Sequence, residues 1–120
     1  MDKLYNKKLG AFGEDLAANF LIKKGYRLLE KNWRIVRGEI DLIMKKDKDL
    51  VFVEVKTRTS RTFGFGEEAV SPTKLAKIKN TIEAYLAKVD EDVTPRFDVV
   101  VVEISGIVPS FIHYENVLFD

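Results

Sequence analysis

The chain contains no cysteine. Disulfides, thiolate nucleophiles and cysteine-ligated zinc are therefore excluded together, and a reducing compartment is compatible with the composition. It has one histidine, His113. Mechanisms that need two imidazoles are excluded, and a serine triad would have to use His113 without a Gly-x-Ser-x-Gly turn to present the serine. Long apolar runs are lacking as well. No window approaches the roughly 20 apolar residues that cross a bilayer, and MDKLYNKKLG has no apolar leader segment. The expectation is a soluble, cytoplasmic protein with no membrane partner. Charge of one sign is also missing, since Lys and Arg number 20 against 19 Asp and Glu. This argues against a globally basic nucleic-acid coat and leaves room for a local basic patch around an acidic centre.

At 120 residues and 46% hydrophobic, the chain can bury one core and is too short for two ordinary domains, so residues 1–120 are expected to form a single domain. Its organising stretch is Gly38 to Arg58, GEIDLIMKKDKDLVFVEVKTR. Two apolar runs, Ile40 to Met44 and Leu50 to Val55, flank the polar KKDKD and predict an antiparallel hairpin. Alternation along a strand puts Glu39 and Asp41 on one face and Ile40, Leu42 and Met44 on the other, while Glu54 and Lys56 oppose Val51, Val53 and Val55. Closing the hairpin about Asp47 and Lys48 sets Asp41 across from Glu54 and Glu39 across from Lys56. Opposed side chains sit about 4.5 to 5.5 Å apart at Cβ, where like charges repel, so a positive partner is needed. Two readings are open: Lys56 neutralises its neighbours on an ordinary solvated face, or a divalent cation sits between Asp41 and Glu54. Oxygen-only ligation suits Mg²⁺ or Mn²⁺ rather than zinc or copper.

Before the hairpin, Leu9, Phe12, Leu16 and Phe20 recur at helical spacing and predict an amphipathic helix over Lys3 to Lys24, ended by Gly25. Glu14 flanks its apolar stripe among small residues. Tyr26 to Ile35 reads as a long or bulged first strand, with Trp33 as core or rim packing, and Gly38 as a bend or bulge at the entry of the acidic strand. After the hairpin, residues 57 to 71 form a Gly/Ser/Thr-rich loop carrying Arg58, Arg61, Phe63 and Phe65, either a plain surface loop or a contact for a phosphate backbone. Ser71 and Pro72 open a second helix whose stripe is Leu75, Ile78, Ile82, Tyr85, Leu86 and Val89. Lys74 and Lys77 lie in its first turns, nearest the arginines. The valines of Arg96 to Ser105 predict a strand covered on both faces and parallel to the Glu54 strand. Asp98 is expected to cap or to pair with Arg96. A last strand, about Phe111 to Phe119, carries His113 as a surface or edge residue. The fold class is α/β, with a mixed sheet against helices in the order αβββαββ.

Glu14 on a helix, Asp41 in GEID, and Glu54 with Lys56 in EVK together resemble the PD-(D/E)XK nuclease superfamily, in its Holliday-junction-resolvase-like branch. A closer and nearly full-length resemblance, carried by GAFGEDLAANFL, GYRLLEKNWR, GEIDLI, LVFVEVKTR and RFDVV in that order, is to the YraN-like uncharacterised bacterial family. The resemblance implies a restriction-endonuclease-like core. It also implies a Mg²⁺- or Mn²⁺-dependent endonuclease hydrolysing phosphodiester bonds in DNA, possibly branched or single-stranded. Asp41, Glu54, Lys56 and Glu14 would be the catalytic residues. The metal ligands would be Asp41, Glu54, the Val55 carbonyl and Glu14, supported by Glu39. Arg58, Arg61, Lys74 and Lys77 would contact nucleic acid. A non-catalytic module that keeps this fold and binds nucleic acid or protein is the alternative, and a homodimer is left open.

Overall fold

The computed structural model describes residues 3–59 and 71–118. Helix α1 (Lys3–Lys23) leads into strands β1 (Arg27–Ile35), β2 (Gly38–Lys46) and β3 (Asp49–Arg58); helix α2 (Pro72–Leu86) then precedes β4 (Thr94–Glu103) and β5 (Ser110–Tyr114). The strands form one sheet in the order β1-β2-β3-β4-β5. β3 and β4 are parallel, as the intervening helix predicts, and the other neighbours are antiparallel.

Local chemistry accounts for the element ends. Gly25, at φ +97, stops α1 in the left-handed region that glycine enters without a Cβ penalty. Ser71 caps α2 by accepting the Lys74 N–H at 3.2 Å, and Pro72 stands in the first turn, where no intrahelical donor is lost. The β2–β3 hairpin closes from Lys46 with Asp49 around Asp47 and Lys48, the register the sequence predicts. Asp47 supplies the positive φ, at 53, in this two-residue turn.

The sheet separates two apolar layers. Ala17, Ala18 and Leu21 of α1 pack with Leu42, Met44, Val51, Val53, Val100 and Val102. On the other face, Ile78, Ile82 and Tyr85 of α2 pack with Ile40, Ile43, Leu50, Phe52 and Phe97. Consecutive residues of β3 and β4 thus feed opposite layers, which is why these strands read as unbroken apolar runs. Each fully buried Leu, Ile, Phe or Val contributes about 1.5–3 kcal/mol. Trp33 packs edge-on against Tyr85, as rim packing. Val89 lies beyond the end of α2 but still joins this layer.

The simple alternation expected for β2 fails at one place. Ile40 packs on the α2 side although Leu42 and Met44 pack on the α1 side. The β1–β2 register steps from Lys31–Leu42 to Trp33–Ile40, passing over Asn32 and Asp41. Asn32 there has φ 50, a left-handed conformation that its short polar side chain tolerates. Both strands turn over at this point. The bulge expected in β1 is present separately, between Leu28 and Glu30. Gly38 is not in a strained conformation; a Cβ on it would collide with Thr81 of α2, so its role is close helix approach.

His113 is also placed differently from the expectation of a surface or edge residue. Its side chain is only 5% exposed, on the short β5, and its Nε2 lies 2.7 Å from the Asp98 carboxylate. The signal was non-local, because the buried Asp98 draws one partner from its own strand and the others from β5 and the segment after it. It accepts two bonds from Arg96, at 3.0 and 2.8 Å, and the Asn116 N–H at 2.9 Å. Lys24 donates to His113 Nδ1 at 2.8 Å, which leaves the Nε2 proton to point at Asp98.

Candidate functional site

Glu54, Lys56 and Asp41 lie where the central hairpin splays. The β2–β3 ladder runs from Lys46–Asp49 to Leu42–Val53 and pairs no residues beyond it. Regular alternation of an antiparallel ladder would next carry the Val55 N–H to the Ile40 carbonyl. It goes instead to Asp41 Oδ2, at 2.8 Å. A side-chain carboxylate has replaced a backbone acceptor. This holds Asp41 in the fork between the two strands.

The electrostatics of the fork are uneven. Burial, against the opposing effect of the Val55 N–H and with the added charges of Glu14, Glu54 and Glu39, pushes the Asp41 carboxyl up to about 7. Glu54 differs. Burial would raise it too, but Lys74 Nζ at 3.0 Å and Lys56 Nζ at 3.1 Å hold its carboxyl below the usual range. Burial disfavours the Lys74 ammonium, yet Glu54 keeps it protonated, above its ordinary pKa. The two lysines match one acid and leave the other in excess.

Each helix brings its residue to the fork by close packing. A Cβ on Gly13 would collide with Thr57 of β3, so α1 lies tight on the sheet beside Glu14. Gly38 does the same for α2 through Thr81, near Lys74. Asn32 Nδ2 donates to Glu14 Oε1 at 3.1 Å and to Glu39 Oε2 at 3.4 Å, and Arg34 reaches Glu39 at 3.4 Å. Glu39 thereby lines two clefts. One, of about 300 Å³, lies toward α1 and carries Lys7, Glu14 and Arg34; the other, of about 150 Å³, lies toward α2 and carries Arg37, Glu54, Lys74 and Lys77.

Glu14, Glu39, Asp41, Glu54, Lys56, Lys74 and Lys77 are thus brought to one place, and Val55 joins through its N–H. Arg58 ends β3, with its carbonyl accepting the Ile104 N–H at 2.8 Å. Arg61 lies outside the described residues. Sequence reasoning missed Asn32, Arg34, Arg37 and Lys7. The available signal was Asn32, a residue suited to positive φ inside a strand pattern.

The donor set suits a hard cation, with carboxylate oxygens and no sulfur or imidazole. As the side chains stand, no three acidic or imidazole groups among the described residues are gathered closely enough to hold a metal. Glu54 is turned onto its lysines and Asp41 onto a backbone N–H. The chemical fit is in the charge: among the described residues Asp41 forms no ion pair, three carboxylates act on it, and Lys74, which senses its charge, is paired with Glu54. Among the described residues, no helix is long and apolar enough to cross a membrane.

Residues 13–102 match the family described as Uncharacterised protein family UPF0102. A UPF0102 protein of Syntrophomonas wolfei is 50% identical over 92 residues, covering 77% of this chain and 76% of its own length. One from Caldicellulosiruptor bescii is 49% identical over 102 residues, 83% of this chain and 86% of its own length. One from Geobacter metallireducens is 42% identical over 114 residues, 94% of this chain and 93% of its own length.

Proposed function

Because the chain belongs to the uncharacterised family UPF0102, the YraN-like family, whose name assigns no chemistry, we propose from the geometry of the fork that it is a metal-dependent endonuclease acting on DNA. The fold would then be a PD-(D/E)XK core. The observation that carries this reading is the placement of Asp41, held in the fork on the Val55 N–H with Glu14, Glu39 and Glu54 as neighbours, while Lys56 and Lys74 pair with Glu54.

Asp41, Glu54 and the Val55 carbonyl, with Glu14, would hold Mg²⁺ or Mn²⁺, and Glu39 would support them. Such an ion, when bound, polarises a phosphate oxygen and lowers the pKa of a water. The chain's own groups do the rest. Lys56, paired with Glu54 at 3.1 Å, would stabilise negative charge growing on the phosphate in the transition state. Lys74 keeps Glu54 ionised and is the group that must yield when Glu54 turns toward a cation. Asn32 fixes Glu14 and Glu39 relative to each other across the fork. The Val55 N–H orients Asp41, in the way that supporting hydrogen bonds orient metal ligands.

Calorimetric titration of Mg²⁺ and Mn²⁺ into wild type, Asp41→Asn, Glu54→Gln and Lys56→Ala tests this, alongside cleavage of labelled DNA. Wild type and Lys56→Ala should bind the ion, and the two acid variants should lose it. Cleavage should be confined to wild type. Equal cleavage by wild type and Asp41→Asn preparations would mark a contaminant and sink the proposal; no ion uptake by wild type would do the same.

A further inference from the structure

The two clefts meeting at Glu39 each carry cations besides those paired with Glu54. Toward α1 these are Lys7 and Arg34; toward α2 they are Arg37 and Lys77. All four are exposed. Arg34 spends one N–H on Glu39 at 3.4 Å and keeps 70% of its side chain in solvent. The arrangement is a carboxylate-lined centre with positive charge on both flanks, which suits an anion that repeats along a chain more than a single small anion. The α2-side cleft is small, at about 150 Å³. That is on the scale of one sugar-phosphate link rather than of a base pair, which favours a strand taken singly.

We propose that a single nucleic-acid strand crosses the site over Glu39, with its phosphates held by Lys7 and Arg34 on the α1 side and by Arg37 and Lys77 on the α2 side. The proposal rests on the hydrolytic reading for its choice of a phosphodiester chain over an acidic peptide. Glu39 sits under the crossing point and repels the strand, so its charge sets the affinity of the metal-free protein. The proposal adds three cations, Lys7, Arg34 and Arg37, that no motif singled out, and it assigns the clefts rather than the acids.

The test is binding of a short fluorescein-labelled single-stranded DNA, by anisotropy, to metal-stripped protein across a salt series. Working without metal separates this outcome from the hydrolytic reading, which stands or falls on ion uptake and cleavage. Lys7→Ala with Arg34→Ala, and separately Arg37→Ala with Lys77→Ala, should each weaken binding about tenfold at low salt. Each pair should also reduce the slope of log K against log salt by about 1.4, at about 0.7 per lost single-strand phosphate contact. Glu39→Gln should tighten binding several-fold, and a duplex of the same sequence should bind more weakly than the single strand. The proposal is overturned by unchanged slopes in both pairs, by duplex binding as tight as the strand, or by polyglutamate competing as well as unlabelled DNA. It is also overturned if neither wild type nor Glu39→Gln binds at low salt.

Discussion

Asp41 and Asp98 are both strand aspartates taken out of water, and they respond in opposite directions. Asp98 has no exposed surface at all, yet its carboxyl is held below the ordinary range: burial raises it, but His113, Arg96 and the Asn116 N–H more than offset that. Asp41 keeps some exposed surface and is nevertheless pushed up to about 7: burial raises it, a single backbone N–H opposes that, and the charges of Glu14, Glu54 and Glu39 add to the rise. Burial raises both carboxyls, and the partners decide whether that rise is offset. A carboxylate whose oxygens are matched inside the chain is part of the architecture. One left in excess marks a place where something from outside is wanted.

The comparison breaks most visibly at Asp98. Asp98→Ala leaves Arg96 and His113 facing a void, and should cost about 3–5 kcal/mol in urea unfolding, the usual loss when one partner of a buried ion pair is removed. A loss under 1 kcal/mol would place Asp98 with the surface acids.

Asp41 should behave in the reverse sense. Its folded carboxyl binds a proton more tightly than an ordinary one at 3.8, so stability falls as pH rises between about 4 and 7 and is flat above. The displacement corresponds at most to about 4 kcal/mol, and partial solvent screening brings it to about 2–4 kcal/mol. Asp41→Asn should therefore remove that slope and leave the protein more stable than wild type at pH 8, read by urea melts across the pH range. Carboxyl NMR should show an inflection near 7 that is absent from the variant.

Gly13→Ala sharpens the contrast from a distance. The added methyl meets Thr57, so α1 must lift, at about 1–3 kcal/mol for overpacking. Glu14 then recedes, and the Asp41 inflection should move down while that of Asp98 stays in place. The smallest effect is expected at the exposed pair of Lys31 with Asp15, whose side chains are 39% and 60% exposed. Lys31→Ala should cost less than about 1 kcal/mol in the same urea assay.

Much of this frame was legible in the sequence, because it is written in local signals. The Ser71–Pro72 start of α2, the glycine stop of α1 and the Lys46–Asp49 closure of the hairpin each depend on a few adjacent residues. The convergence of Glu14, Asp41 and Glu54 followed from periodicity joined to the family resemblance. What escaped was non-local. The turnover at Asn32 and Asp41 depends on how two strands twist together, and no period-2 pattern announces it. The hold of Lys74 on Glu54 depends on where α2 lands after an intervening segment. His113 looked like an edge residue because its partner, Asp98, lies on another strand.

Gly13 and Gly38 give the fork a property that its charged residues do not. Each helix rests on the sheet with only a hydrogen atom between backbone and threonine, at Gly13 with Thr57 and at Gly38 with Thr81. The width of the fork is therefore gauged by two missing methyl groups. Adding one would widen the jaw while the protein remained folded, so a substitution that touches no acid resets the spacing of the acids.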